Sequence, residues 1–140
     1  MIDTIYEEIR TVLLGLKIKE AKEYFDIENI PDSLADNSFV IAPIEMDAGN
    51  SIKSAESVKV IGVKAGFKIY LSMLLPVNNI IQKMKSTAVV VENILKGILS
   101  IVVGEDEKDL ITFAGSSFNT DGKKLIYEIN FEINYRVNNF

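Results

Sequence analysis

One stretch of the sequence, Val58 to Leu74, constrains the fold more than any other. Between Ile61 and Met73 every odd position is apolar, while the even positions hold glycine, lysine, tyrosine or serine. Alternation with a period of two residues is typical of a β-strand that buries one of its faces. The sequence therefore predicts one long strand, around which the rest of the fold must be built.

The length of this strand carries information as well. Seventeen extended residues would span about 55 Å, whereas a compact domain of this chain length is only about 35–40 Å across. The strand is therefore expected to bend at Gly62 or Gly66, or to project from the body at its start. A projecting strand has an unpaired edge, and such an edge usually pairs with something in a native protein.

Two helices are predicted by apolar residues at helical spacing. The first begins near Thr4, where Glu7 completes the spacing of a capping box, and it ends at Gly15 or continues toward Tyr24. The second begins at Val77 or Asn78, directly after the proline that closes the long strand, and continues to Leu99. The segments between the helices and after the second helix are predicted to be strands and connections.

Further strands and one tight turn complete the prediction. Strand composition extends over Ser38–Glu45 and Leu110–Phe118. Lys124–Val137 alternates cleanly between apolar and polar residues and is predicted to be the last strand. Met46–Ser57 is predicted to be a mobile loop. Asp121-Gly122 is a strong signal for a hairpin turn. Two hairpin-like strand pairs favour an α+β fold, in which both helices pack on the apolar face of a mainly antiparallel sheet.

The elements predict a single domain over residues 1–140 in the order α-β-β-α-β-β, with residues 46–62 as a candidate projecting arm. The core is expected between the sheet and the helices. Its predicted members are Phe67, Ile69, Leu71, Ile129, Phe131, Ile133, Ile81, Met84, Val91 and Leu95.

The residue types exclude several kinds of functional site. The chain contains no cysteine and no histidine, which removes thiol chemistry, disulfides, Cys/His zinc sites and imidazole catalysis. No nucleophile with a base beside it can be assembled, so we expect no enzymatic activity, no cofactor and no metal. Glu128 and Glu132 are instead expected to form cross-strand ion pairs with Lys64 and Lys68.

Charge and hydropathy bear on possible partners. The net charge of −5 makes the chain a poor candidate for wrapping nucleic acid. The most apolar helical stretch, Ser86 to Val103, is interrupted by Glu92 and Lys96 and is not predicted to span a membrane. No secretory signal is visible at the N-terminus, so we expect a soluble protein that is intracellular when it is made.

Taken in order, these segments resemble the tail terminator (tail completion) proteins of long-tailed bacteriophages. The resembling parts are the short N-terminal helix, Ile30–Leu34 leading into Asn37–Ile41, the long strand that ends at Pro76 and runs directly into a long helix, and the final hairpin that ends in Leu125–Val137. The resemblance covers most of the chain and is one of order and pattern. It includes no catalytic or ligand-binding signature.

The resemblance implies a structural virion protein that forms a hexameric ring on the tail tube, stops tube growth and provides the head-joining interface. The implied partners are other copies of the chain, the tail tube protein and the head-completion protein. DNA would pass through the lumen without specific binding, and an acidic surface suits that passage. The implied location is the tail–neck region of the virion, after assembly in the bacterial host cytoplasm, with no membrane contact.

Subunit contacts are expected at the projecting start of the long strand and in the loop before it. The candidate interface residues are Ile52, Lys53, Val58, Val60 and Ile61. A proline at Val60 is expected to block ring formation while the body stays folded. Two alternatives remain open, namely a head–tail connector or neck protein of the same assembly, and a small module that binds an apolar ligand between the sheet and the long helix.

Overall fold

The computed structural model of the chain describes residues 2–21, 35–48, 52–53, 59–101 and 111–139. These residues form two helices and seven strands, which confirms the predicted α+β class. In chain order they are α1 (Ile2–Gly15), β1 (Lys19–Glu20), β2 (Ser38–Ile41), β3 (Glu45–Ala48), β4 (Ile52–Lys53), β5 (Lys59–Leu74), α2 (Ile80–Leu99), β6 (Ile111–Thr120) and β7 (Lys124–Asn139).

The described strands form one mixed sheet with β5 at its centre. The order is β1-β2-β5-β7-β6, and β3 and β4 also pair with β5. On one side β5 pairs with β7 along its whole length, from Lys59 opposite Asn139 to Leu74 opposite Lys124. On the other side it pairs in succession with β2, β3 and β4, all of them antiparallel. Only β1 and β2 form a parallel pair among the described strands.

The structure contains more strands before β5 than the sequence predicted. The predicted strand Ser38–Glu45 is divided, because β2 ends at Ile41 and β3 begins at Glu45. Pro43 lies in the gap, where its missing N–H costs the ladder nothing. The predicted loop Met46–Ser57 is wrong for residues 46–48 and 52–53, which pair with β5, and its other residues lie outside the described ones.

The two helices share a core with one face of the sheet. The odd-numbered residues from Val63 to Met73 in β5 and from Leu125 to Ile133 in β7 pack in this core, as their alternation predicts. Phe67 and Phe131 are directly opposite each other in the ladder, and their rings stack with centroids 5.3 Å apart. The core residues that the helices contribute are Ile5, Ile9, Leu13, Val91, Ile94 and Ile98.

The predicted core is confirmed for the sheet but partly wrong for α2. All six predicted sheet residues are buried, and so is Val91. However, Ile81 is 70% exposed, Met84 is 42% exposed and Leu95 is only partly buried. The helix buries Thr87, Val91, Ile94 and Ile98 instead. The apolar stripe of α2 is broader than the surface that the sheet and α1 offer to it, so part of the stripe remains uncovered.

Close contact between the helices occurs at one glycine. A Cβ atom added at Gly97 would lie 2.5 Å from Cγ1 of Val12 on α1. Any side chain at this position would therefore force the two helices apart or displace Val12. Gly97 belongs to the C-terminal half of α2, and this is the half that α1 covers.

Candidate functional site: surfaces outside the core

Four of the five predicted interface residues lie in the strand ladder. Ile52 and Lys53 form β4, and they lie opposite Val60 and Lys59 of β5. Ile61 lies opposite Val137 of β7. Val58 falls outside the residues that the structure describes.

The expectation that this end of the long strand has an unpaired edge is wrong. Val60 pairs with Ile52 on one side and with Asn138 on the other, because β5 is a central strand. A proline at Val60 would break the sheet itself, so this substitution does not separate assembly from folding. A subunit contact at these residues stays a prediction, but an unpaired edge is no longer a reason for it.

The outer face of the sheet, opposite the helices, carries the two predicted cross-strand ion pairs. Lys64 Nζ lies 3.3 Å from Glu132 Oε1, and Lys68 Nζ lies 3.1 Å from Glu128 Oε1. The hydrogen bond that Lys68 donates to Glu128, together with the charge of that carboxylate, raises the pKa of Lys68. The ion pair therefore favours the charged form of Lys68.

Beside these ion pairs the outer face contains an open cavity of about 530 Å³. Its lining includes Gly66, Asn130, Lys68, Glu128 and Glu132, with residues 42–45 and 114 also contributing. A Cβ added at Gly66 would meet no atom within 4 Å, so the absence of a side chain there leaves room. The Asn130 side-chain oxygen is buried and has no hydrogen-bond partner among the described residues.

This cavity offers little chemistry by itself. Three glutamates line it. Glu128 and Glu132 each have a lysine partner, and these charges compensate one another, whereas the third is Glu45 of β3. Among the described residues, no group of three or more acidic side chains is placed to hold a metal ion. The cavity has room for a small polar group.

A second candidate surface is the exposed apolar start of α2, here called the α2 patch, which consists of Val77, Ile80, Ile81 and Met84. Their exposed fractions are 95%, 43%, 70% and 42%. Ile80 and Met84 continue the helical line of the buried Thr87, so they lie on the core side of α2 and are still exposed. Apolar side chains gathered in this way are typical of a surface that contacts another protein.

Asp36 anchors the α2 patch to the sheet. Its Oδ1 accepts hydrogen bonds from the Leu74 N–H at 3.1 Å and from Lys83 Nζ at 2.9 Å. Burial acts to raise the pKa of Asp36, but the hydrogen bonds from Lys83 and Leu74 outweigh it, so the pKa lies below its ordinary value. Lys83 lies within the turns of α2 that carry the patch, so this contact fixes the patch relative to the end of β5.

A third surface is the outer edge of β6, which the sequence analysis did not identify. No described strand pairs with this side of β6. The strand consists of ten residues, ITFAGSSFNT, and none of them is charged. Exposed edges usually carry charges or proline that prevent pairing with other chains. The absence of charged residues from a predicted strand is therefore the sequence signal by which this edge could have been identified.

No family model matches the chain, and no curated protein matches it either. In the described part of the chain, neither helix is long and apolar enough to cross a lipid bilayer.

Proposed function

We propose that this chain is a structural subunit of a phage virion, of the tail terminator type, and that it assembles into a ring on the end of the tail tube. In this role it stops tube growth and provides the surface to which the head is joined. Six subunits per ring follow from the resemblance. The work of such a protein is done by its surfaces, and it needs neither an active site nor a cofactor.

The α2 patch is the observation that carries this proposal. The Asp36–Lys83 contact holds this apolar surface in a fixed position at the start of the helix. Exposed apolar surface of this kind favours contact with another subunit, which would bury it. In a head-to-tail ring, each subunit presents one surface to its neighbour and receives a different one. The α2 patch supplies one of the two surfaces that such a contact requires.

The arrangement of the resembling segments also supports the proposal. The long strand is β5, which leads through Pro76 into α2, and the final hairpin is formed by β6 and β7. These elements build the sheet and one side of the core, so the resemblance involves the centre of the fold as well as its periphery. The net charge of −5 suits a lumen through which DNA slides without binding.

The two alternatives differ in their support. A head–tail connector of the same assembly would use the same kinds of surface, and it is distinguished by the partner that it binds. An apolar-ligand module needs an apolar pocket between the sheet and α2. The described cavity lies on the opposite face and is lined by Lys68, Glu128 and Glu132, so it gives this alternative no support.

The proposal is tested by negative-stain electron microscopy of the purified protein, alone and with isolated tail tubes. The wild type should form rings, or cap the ends of the tubes. The Ile81→Lys variant should lose ring formation and capping, because a charge within the α2 patch opposes apolar contact. Circular dichroism should show that this variant is folded, since Ile81 is largely exposed.

Val89→Lys is the matched control. Val89 is also an exposed apolar residue of α2, at 55%, but it lies on a different side of the helix from the patch. The control should assemble normally. Equal losses in both variants would mean that the α2 patch is not the contact, and a wild type that neither forms rings nor binds tubes at any concentration would refute the tail-terminator proposal.

A further inference from the structure

The outer edge of β6, with which no described strand pairs, has an unusual arrangement of exposed aromatic side chains. Phe113 is 43% exposed and Phe118 is 59% exposed, although both lie in a strand of the sheet. Phe113 lies opposite Phe131 of β7, and Phe118 lies opposite Tyr127. Because directly opposed residues share a face, both phenylalanines are on the helix side of the sheet.

A β-bulge puts the two phenylalanines on the same face. Residues five positions apart in a regular strand point to opposite faces. Here Ala114 is an extra residue between Phe113 and Gly115, and the register with β7 shifts at this point. Gly115 has a φ angle of 125°, a conformation that residues with a side chain rarely adopt.

The resulting strand is symmetric about Ser116. The β7 residues opposite Phe113, Ser116 and Phe118 are Phe131, Ile129 and Tyr127, evenly spaced by two residues. Phe113 and Phe118 therefore lie at equal distances on either side of Ser116. The two ends of β6 are also symmetric about Ser116. Ile111 and Thr120 lie opposite Ile133 and Leu125, which are four positions to either side of Ile129.

From this symmetry we propose that β6 pairs antiparallel with β6 of a second copy of the chain, about a twofold axis through Ser116. This register places Phe113 opposite Phe118 of the partner subunit, and Ser116 opposite Ser116 of the partner subunit. A twofold axis perpendicular to the sheet keeps the helices of both copies on the same side. The two sheets then join into one, and the exposed phenylalanines form two cross-strand aromatic pairs.

A second copy fits this edge better than an unrelated peptide does. An isologous contact requires one surface to be complementary to itself, and the spacing about Ser116 meets that requirement. Since β6 carries no charge, no like charges meet across the axis. Ten paired residues extend about 33 Å, which makes a small interface, so the dimer is expected to dissociate on dilution. The dimer goes beyond the proposed ring and does not depend on it.

Sedimentation analysis over a range of concentrations tests the pairing, and it is carried out on the Ile81→Lys variant so that ring formation does not add to the mass. This protein should pass from monomer to dimer as its concentration rises. Ser116→Lys and Ser116→Glu should each weaken dimerisation more than about tenfold, because two like charges then face each other across the axis. An equimolar mixture of the two variants should recover dimers, since each lysine then faces a glutamate.

Cysteine cross-linking tests the register, and the chain has no cysteine of its own. Under mild oxidation Ser116→Cys should form a disulfide-linked dimer by itself. Thr112→Cys and Asn119→Cys should not do so separately, but a mixture of the two should, because these positions face each other in the proposed pair. Ser117→Cys is the control, since Gly115 of the partner subunit lies opposite it.

The possible results decide the proposal. It is overturned if the Ile81→Lys protein stays monomeric at all concentrations, if mixing the charged variants restores no dimers, or if Ser117→Cys cross-links as readily as Ser116→Cys. Circular dichroism of each variant should match the wild type, because Ser116, Ser117, Thr112 and Asn119 are all exposed. Ring formation and tube capping are scored separately, so failure of the dimer leaves the tail-terminator proposal standing, and the reverse also holds.

Discussion

The two ends of α2 carry similar apolar side chains on the core side of the helix, but the fold buries them only at the C-terminal end. In the C-terminal half Ile94 and Ile98 are fully buried, and α1 approaches as closely as Gly97 allows. At the N-terminal end Ile80 and Met84, which lie on the same side of the helix, are exposed. The amphipathic pattern is continuous along the helix, so the difference lies in what faces each half. An apolar stripe shows that a surface should be covered, but it does not show by what.

The test with the largest expected effect makes the same substitution, isoleucine to alanine, at each end of α2. Ile94→Ala should destabilise the protein by about 2–5 kcal/mol, because it removes buried methyl groups and leaves a cavity. Ile80→Ala should cost clearly less, about 1 kcal/mol, because Ile80 lies on the same side of α2 as Ile94 but is 43% exposed. Urea unfolding of both variants measures the difference. Similar losses in the two variants would show that the halves are covered equally.

A second test asks whether close helix packing is what distinguishes the C-terminal half. Gly97→Ala should cost about 1–3 kcal/mol, because the new methyl group meets Val12 at 2.5 Å. Combining it with Val12→Ala should cost less than the sum of the two single changes. Gly15→Ala is the control, because an added Cβ there meets no atom within 4 Å. Additive costs for the double variant would argue against the close contact.

The smallest expected effect concerns the anchor of the N-terminal half. The lowered pKa of Asp36 means that its charge stabilises the fold above its ordinary pKa of 3.8, and that this contribution is lost as the pH falls through the folded-state value. Asp36→Asn should cost about 1 kcal/mol at pH 7, a modest figure because the Asp36 side chain is 46% exposed. The difference in the free energy of unfolding between Asp36→Asn and the wild type should become smaller below pH 3.8.

Chemical denaturation at pH 7 and at pH 3 measures this difference in the free energy of unfolding. The other carboxylates are present in both proteins, so their contribution cancels when Asp36→Asn is compared with the wild type. A difference that stays constant with pH would mean that the charge of Asp36 does not stabilise α2. A difference that increases on acidification would contradict the direction of the pKa shift.

Several elements were predictable because neighbouring residues specify them. The alternation in β5 and β7 was visible in the sequence, and so was the turn at Asp121-Gly122. Its chemistry is local, since the Asp121 carboxylate accepts hydrogen bonds from the N–H groups of Lys123 and Lys124 at 2.8 and 2.9 Å. Gly122 adopts a φ angle of 90° that this turn requires.

The elements that were missed depend on distant residues. β4 is two residues long, and it is a strand only because Val60 and Lys59 lie opposite it. The sequence likewise did not show that Val60 has neighbours on both sides, which removed the argument for an unpaired arm. Short strands carry too little periodicity to be distinguished from loops.

The sequence determined the elements with strong local patterns, namely the two long strands, the hairpin, the two helices and the cross-strand ion pairs on the outer face. Its residue types also excluded thiol and imidazole chemistry. Only the tertiary structure decided which surfaces stay open, because that depends on strand order and on where α1 meets α2. The exposed start of α2 and the symmetric edge of β6 are products of that arrangement, since side chains with the same pattern are buried elsewhere in the fold.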